Sequence, residues 1–289
     1  MEHDRRDAAR IATLTLLAAG LVSSPAPAAD VWTLVVSAPG YPSDTAEAQP
    51  TMDAFAAGLA AAAGWPAERL RAVYHSTVDG GTAALAADGA ALALTPLPFY
   101  LERREALALE PLLAVEAEDG GDEWSLVARR GALSGPSSLA GWEIAGNPGY
   151  SPRFVRRVAL SRWGALPEQS SIRFSSRVLS ELRRASRGEP VAALLDRSQT
   201  EALDSLPWAA ELEIVARSGR LPGSLLCRVG PGVPDEAAER LSAALRRLHR
   251  DEAGRGLLDT VRIRRFVELD TARLARVERA FAGDGAPAR

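Results

Sequence analysis

Thr77–Tyr100 reads TVDGGTAALAADGAALALTPLPFY, and Arg177–Leu203 reads RVLSELRRASRGEPVAALLDRSQTEAL. Both have the same grammar. A helical segment is stopped at Asp88-Gly89 in the first and at Gly188-Glu189-Pro190 in the second. An apolar run follows, Ala90–Leu94 or Val191–Leu195, and then polar residues, Thr95-Pro96 or Asp196-Arg197-Ser198. A short, continuous apolar run after a glycine turn predicts a strand buried on both faces. In an open α/β sheet, ligands sit just outside the carboxyl ends of such strands. Two copies of the unit, about a hundred residues apart, predict two α/β lobes facing each other across a cleft.

The flanking sequence supports a restart rather than a continuation. Val31–Ser37 (VWTLVVS) is a β-branched first strand, followed by a rigid loop at Ala38-Pro39-Gly40-Tyr41-Pro42. A helix is expected from about Pro50 to Ala63, a strand at Arg71–Tyr74, a helix at Thr82–Ala87 and a strand at Leu112–Glu116; Glu118–Glu123 reads as an acidic surface turn. The pattern then begins again. Trp124–Arg129 is a strand, Trp142–Ala145 another, Asn147–Ser151 a loop, and Pro152 suits the first turn of a helix running to about Trp163. Further strands are expected at Ser170–Phe174, Glu211–Ala216 and Ser224–Val229. Asp235–Arg250 reads as one amphipathic helix, Ala253–Leu258 and Thr271–Phe281 as helices, and Gly283–Arg289 as a frayed end. The simplest assembly is α/β: two Rossmann-like lobes joined by two crossover strands, near Trp124–Arg129 and Glu211–Val229, with the C-terminal helices returning to the first lobe. Residues 30–123 plus 219–289 form lobe 1 and 124–218 lobe 2. A single large doubly wound sheet is the competing assembly.

The N-terminus reads as an export signal. Arg5, Arg6 and Arg10 give a positive start, Ile11–Val22 an apolar stretch, and Ser23–Ala29 a small, proline-broken end, so residues 1–29 are expected to be a signal peptide cleaved after Ala28 or Ala29. A periplasmic or secreted location follows. A retained anchor is the alternative, although the run is short for a membrane span.

Composition narrows the function classes. The 289 residues are 47% hydrophobic and 25% charged, ordinary globular values that suit two cores. A net charge of −3 implies no strong electrostatic attraction to nucleic acid or anionic membrane. Every basic side chain other than histidine is arginine. Cys227, the only cysteine, forms no intramolecular disulfide and reads as a buried thiol. The histidines, His3, His75 and His249, do not cluster with other metal ligands at zinc spacing. There is no nucleophile elbow, Walker loop or dinucleotide fingerprint. The reading is therefore not an enzyme, with no cofactor and no metal.

Particular words give the organisation a resemblance. Leu139-Ala140-Gly141-Trp142-Glu143-Ile144-Ala145, Ala192–Asp196 after a glycine turn, Ser218–Gly223 with its Leu-Pro-Gly, and Asp251-Glu252-Ala253-Gly254 through Arg265-Phe266 occur in that order. Over about Val31–Phe266 the chain resembles the periplasmic solute-binding proteins of phosphate/phosphonate ABC transporters, which have the type 2 periplasmic-binding-protein fold. The resemblance implies an extracytoplasmic protein that captures a small, anionic, phosphate- or phosphonate-like ligand between its lobes. It also implies an ABC permease or a sensor kinase as partner. A monomer with no nucleic-acid partner is expected. Two departures stand out. Ala90–Leu94 lacks the acidic residue usual in the family, and no histidine lies near a lobe 2 loop. A ligand sensor, a degenerate non-transport homologue and an enzyme on the same fold therefore stay open as other readings.

Cleft chemistry in such a fold comes from loop ends and helix N-termini, whose free N–H groups favour an anion. The candidates are Tyr41, Thr95, Tyr150, Ser151, Ser175, Ser176 and Asp196, with Arg153 able to reach an anion near Ser151. Each also has a structural reading. Tyr41 between prolines suits loop packing, Ser175, Ser176 and Asp196 suit helix caps, and Arg153 suits a solvated helix face. Thr95, a hydroxyl at a strand end before proline, has the strongest case for the cleft mouth.

Overall fold

The computed structural model describes residues 31–41, 45–117 and 123–283. The proposed signal segment, the residues after Tyr41 in the first loop, most of the acidic turn and all but the first residue of the frayed end lie outside these.

The first lobe is built from β1 (Trp32–Ser37), α1 (Thr45–Ala62), β2 (Leu70–His75), α2 (Val78–Ala86), β3 (Ala90–Thr95), α3 (Leu97–Arg103) and β4 (Leu109–Ala117). The chain then crosses into a second lobe. It comprises β5 (Ser125–Arg129), β6 (Glu143–Gly146), α4 (Pro152–Phe154) running into a π-helical turn at Val155–Ala159, β7 (Ser171–Phe174), α5 (Val178–Ser186), β8 (Val191–Leu195), α6 (Arg197–Glu201) and β9 (Leu212–Arg217). It returns through β10 (Leu225–Val229), α7 (Asp235–Leu245), α8 (Glu252–Thr260), β11 (Ile263–Val267) and α9 (Thr271–Ala282). Two sheets result, one ordered β11-β4-β10-β3-β1-β2 and the other β7-β6-β8-β5-β9.

The internal repeat is visible in the ladders. β2-β1-β3 and β7-β6-β8 are both parallel triplets, each flanked by an antiparallel strand, β10 or β5. In each lobe the chain leaves a helix through a left-handed glycine, Gly89 at φ +85° and Gly188 at φ +86°, before the third parallel strand. A residue with a Cβ pays for that conformation, so the two glycines fix where helix becomes strand. The strands they launch are buried as their apolar runs require: Leu92 and Ala93 in one, all of Val191–Leu195 in the other. Alanines at 72, 91, 93, 145, 192 and 193 leave room for the helices to close on both sheet faces. Truncating a fully buried residue such as Leu92 to alanine costs about 2–5 kcal/mol.

Five expectations are corrected. α1 begins at Thr45, with Pro50 inside it rather than at its start; as the sixth residue, past the first turn, Pro50 forgoes one i→i−4 hydrogen bond. The helix expected over Asp235–Arg250 stops at Leu245, and a short 3₁₀ turn, Leu248–Arg250, follows. The helix expected from Pro152 to about Trp163 is only α4 and the π-helical turn, ending at Ala159, and Ile263–Val267, for which no element was expected, is a strand paired antiparallel to β4 at the sheet edge. Finally, the C-terminal helices do not all return to the first lobe. α7 and α8 pack on α1, but α9 bridges both lobes. Its Glu278 accepts from Tyr100 Oη of α3 at 2.7 Å and pairs at 2.5 Å with Arg104, which caps that helix. At its other end the carbonyls of Phe281 and Ala282 accept from Arg157 at 3.1 and 2.7 Å, and the Arg153 guanidinium lies 5.0 Å from the Phe281 ring. One apolar cluster runs through this junction, from Phe99 and Leu126 to Phe154 and Phe281, with Trp124 edge-on to Phe154 at 5.9 Å.

Candidate functional site

In strand orders 2-1-3, the crevice forms where neighbouring strands send their helices to opposite faces, here between β1 and β3 and between β6 and β8. The residues at those four strand ends are Ser37, Thr95, Asn147 and Asp196. Val36 pairs with Leu94 in the β1–β3 ladder, so Ser37 and Thr95 end adjacent strands side by side. Ala145 pairs with Ala193 in the β6–β8 ladder, which brings Asn147 and Asp196 to the matching place in the second lobe. All four are at most 9% exposed.

Their polar atoms are unusual. Among the described residues, six buried side-chain N or O atoms have no hydrogen-bond partner, and four of them belong to residues at these strand ends or in the turn that follows β6: Ser37 Oγ, Thr95 Oγ1, Asn147 Oδ1 and Tyr150 Oη. Each such atom costs about 1–3 kcal/mol if nothing satisfies it. Tyr150 ends the 3₁₀ turn Asn147–Tyr150 that follows β6. Burial pushes its phenol pKa up; nearby Glu102 adds to the rise and Arg103 opposes it, so the group stays a neutral donor. Its ring is tilted against Phe174, 6.1 Å between centres. The first turn of α2 also closes on this point, because a Cβ at Gly81 would fall 2.2 Å from Ser37 Oγ.

Three contacts join the lobes at the same place. Tyr41 donates to Asp196 Oδ2 at 3.0 Å. Gly40, left-handed at φ +87°, sits where a Cβ would come within 3.0 Å of Asn147 and Phe174. Ser151 donates to Glu102 Oε1 at 2.6 Å. Asp196 is therefore both a cap and a bridge. Its Oδ1 accepts from Gln199 N and Ser198 Oγ, both at 2.9 Å, and the Gln199 side chain accepts from Asp196 N to complete a capping box. Oδ2 faces the other lobe.

The sequence candidates thus fall into two groups. Tyr41 and Asp196 meet across the lobes, Thr95 ends β3 beside Ser37, and Tyr150 closes the turn after β6. Ser151, Ser175 and Ser176 do not offer free donors in the same way. Ser151 caps α4 and gives its proton to Glu102. Ser175 gives its proton to Glu181 at 2.8 Å and accepts from Arg177 N. Ser176 is exposed. Arg153 lies over Phe281 on α9 rather than beside a strand end. Ser37, Asn147 and Glu102 were not among the candidates. Ser37 is the repeat partner of Thr95 in the neighbouring strand, a signal present in the sequence once β1 and β3 are set side by side.

Behind the second lobe's loops lies an ion-pair network. Glu143 and Glu181 share Arg173 and Arg184 at 2.7–2.9 Å, and Arg184 also holds Glu189 at 2.7 Å. Hydrogen bonding to Arg173 pulls Glu143 down to about 2 despite partial burial, with Arg184 adding to the effect. Burial acts to raise Glu181, but Arg173, Ser175 and Arg184 together outweigh it and its net shift is downward. The network holds β6, β7 and α5 together under Ser175.

Among the described residues no three His, Cys, Asp or Glu side chains could hold a metal ion, and no helix is long and apolar enough to cross a membrane. Cys227 is fully buried in β10, and burial pushes its thiol pKa up.

Comparison with known proteins gives this arrangement its context. The family described as "ABC transporter, phosphonate, periplasmic substrate-binding protein" matches residues 39–274. Among solved structures, XAC2383 from Xanthomonas citri, bound to ATP, is 16% identical with a TM-score of 0.68, covering 88% of this chain and 98% of its own. PhnD1 from Prochlorococcus marinus (MIT 9301), in complex with methylphosphonate, is 14% identical with a TM-score of 0.60 and coverage of 87% and 97%. A binding protein component of an ABC phosphonate transporter (PA3383) from Pseudomonas aeruginosa is 15% identical with a TM-score of 0.57 and coverage of 89% and 90%. No curated protein matches by sequence. The two-sheet architecture is that of a type 2 periplasmic binding protein, and the chain belongs to the periplasmic substrate-binding proteins of the phosphonate ABC transporter family.

Proposed function

We propose that the protein captures a small phosphate- or phosphonate-like anion between its lobes and presents it to an ABC permease. On this reading Val31–Glu123 with the segment from Gly219 onward forms one lobe, Trp124–Ser218 the other, and residues 1–29 direct export. The observation that carries the reading is the set of four buried polar atoms without protein partners at the strand ends of both lobes. Three are hydroxyls able to donate, and the first turn of α2 adds a helix N-terminus beside Ser37. Neutral donors and backbone N–H groups suit a small oxyanion. The ligands named for two of the structural relatives, ATP and methylphosphonate, both carry tetrahedral phosphorus oxyanions.

Binding and closure are coupled in this scheme. A ligand touching Ser37 and Thr95 on one side and Asn147 and Tyr150 on the other favours the closed arrangement by its extra contacts there. Tyr41 on Asp196 closes the mouth. Calorimetric titration of the mature protein with methylphosphonate, inorganic phosphate and polyamines, at low and moderate salt, tests the reading. Saturable binding of a phosphorus oxyanion without a polyamine response is expected. Polyamine binding with no anion response would show that Asp196 and Glu102 set the charge preference, and would overturn it.

A further inference from the structure

The chain passes between the lobes a second time after β9, and four arginines from three segments gather there around one cavity of about 40 Å³. Arg162 follows the π-helical turn of the second lobe, Arg220 belongs to the crossing segment itself, and Arg273 and Arg276 lie one turn apart on α9. All four are exposed. Arg273 has a loose partner in Asp270 at 3.6 Å. Arg162, Arg220 and Arg276 make no ion pair or side-chain hydrogen bond with any described residue. The backbone makes room for this. Gly219 is left-handed at φ +75°, and a Cβ there would fall 2.2 Å from Arg162 Nη1, so the guanidinium lies directly on the crossing.

A larger depression of about 510 Å³ beside β11 is also lined by arginines, but Arg246 and Arg265 there are already paired with Glu268 and Glu116. Arg247 and Arg250 at the larger depression also lack an ion pair among the described residues, but its lining comes from one stretch and β11 of a single lobe, whereas the smaller cavity draws its arginines from the second lobe, the crossing segment and α9. Its size is room for roughly three water-sized positions, which matches one tetrahedral oxyanion. Guanidinium forks bind such ions through paired, charge-assisted N–H···O bonds.

We propose that this cavity is a second anion site, distinct from the interlobe cleft, that takes a small tetrahedral oxyanion such as sulfate or inorganic phosphate at the lobe crossing. The bound ion ties Arg162 of the second lobe and Arg276 of α9 to the crossing segment, and so sets how freely the lobes move. The site does not depend on what the cleft binds.

The test is thermal unfolding against low-millimolar sulfate at constant ionic strength, in the wild type, in Arg162→Gln/Arg276→Gln and in the cleft variant Thr95→Val. A ligand of the folded state raises Tm in a saturable way. That rise is expected in the wild type and in Thr95→Val. In the double variant the apparent affinity should fall at least about tenfold, since two charge-assisted contacts are removed. An equal rise in the double variant, no saturable rise in the wild type, or a rise lost only in Thr95→Val would each overturn the proposal. Should the double variant not fold, crystals of the wild type soaked in selenate decide the matter by anomalous diffraction. A selenium peak between Arg162, Arg220 and Arg276 supports the site, and its absence at full soak refutes it.

Discussion

Replacing Thr95 by valine should stabilise this protein and weaken its ligand binding. Thr95 ends β3, is 1% exposed, and its Oγ1 has no partner among the described residues. Valine has nearly the same shape and favours a strand, so the change leaves no hole and keeps the ladder to Leu225. What it removes is a buried hydroxyl whose unpaired burial costs about 1–3 kcal/mol. Water reaching the site when the lobes part lowers that cost, so a gain of about 1 kcal/mol is the working figure. For a chain of this size that raises Tm by about 2–4 °C. The effect on binding runs the other way. Losing a hydrogen bond to a charged ligand costs about 1.5–3 kcal/mol, a drop of roughly 10–150-fold in affinity.

Thr33 supplies the internal control. It is also buried, one strand over in β1, but its Oγ1 accepts from Arg71 Nε at 2.8 Å. Thr33→Val breaks a made bond and should lower stability by about 1 kcal/mol with no change in binding. Differential scanning fluorimetry without ligand, and calorimetry with methylphosphonate, read both variants. If Thr95→Val lowered Tm like Thr33→Val and left affinity intact, the Thr95 hydroxyl would be structural and the cleft assignment would be wrong.

Other perturbations test the lobe contacts and the ion network. Tyr41→Phe deletes the 3.0 Å bond to Asp196 and, at a partly exposed site, should cost about 1 kcal/mol of closure, seen as a roughly fivefold loss of ligand affinity with little change in Tm. Gly40→Ala places a Cβ within 3.0 Å of Asn147 and Phe174 at φ +87°, so it should hold the lobes apart, and small-angle scattering should show a larger radius of gyration with saturating methylphosphonate than the wild type has. Glu143 titrates near 4.5 in the unfolded chain and about 2 in the folded one. Its contribution is therefore complete above about pH 5 and is lost as pH falls through that window. The full shift is worth about 3 kcal/mol, and screening at this partly exposed site reduces it to about 1–2 kcal/mol. Urea melts from pH 6 to pH 3 should show a shallower acid loss in Glu143→Gln, and an unchanged slope would remove Glu143 from the acid response.

The architecture was legible where local signals agree with tertiary demands. Ala90–Leu94 and Val191–Leu195 are continuous apolar runs after glycine turns, and such runs have few outcomes besides a doubly covered strand. Ile263–Val267 was not legible. It carries two adjacent arginines in five residues and lies at a sheet edge, where one face and one side of the backbone see solvent and the apolar signal fades. α9 presents the expected amphipathic pattern, but which surface receives its apolar face depends on Tyr100, Arg104, Arg153 and Arg157, brought together from both lobes. At the site, Thr95 and Asp196 could be placed at strand ends from sequence because the repeat marks them. The proton directions of Ser151 and Ser175 could not. Each is decided by a carboxylate, Glu102 from the other lobe or Glu181 from the next helix, and no local pattern reports which.

The distribution of these atoms explains why a cleft with so few charges suits a binding protein. Two partnerless polar atoms sit on each lobe, Ser37 and Thr95 on one, Asn147 and Tyr150 on the other. When the lobes part, water satisfies them. When the lobes meet without a ligand, each is stranded at about 1–3 kcal/mol. The bonds Tyr41–Asp196 and Ser151–Glu102 offset part of that cost, about 1–2 kcal/mol each. Stranding all four atoms costs about 4–12 kcal/mol against about 2–4 kcal/mol from the two bonds, so without a ligand the open arrangement is favoured. A ligand that bonds the stranded atoms of one lobe alone removes only about half of that closing cost. One that reaches both lobes removes the cost of closing and leaves the two bridging bonds to act unopposed, so closure reports that the whole ligand, rather than a fragment of it, is in place.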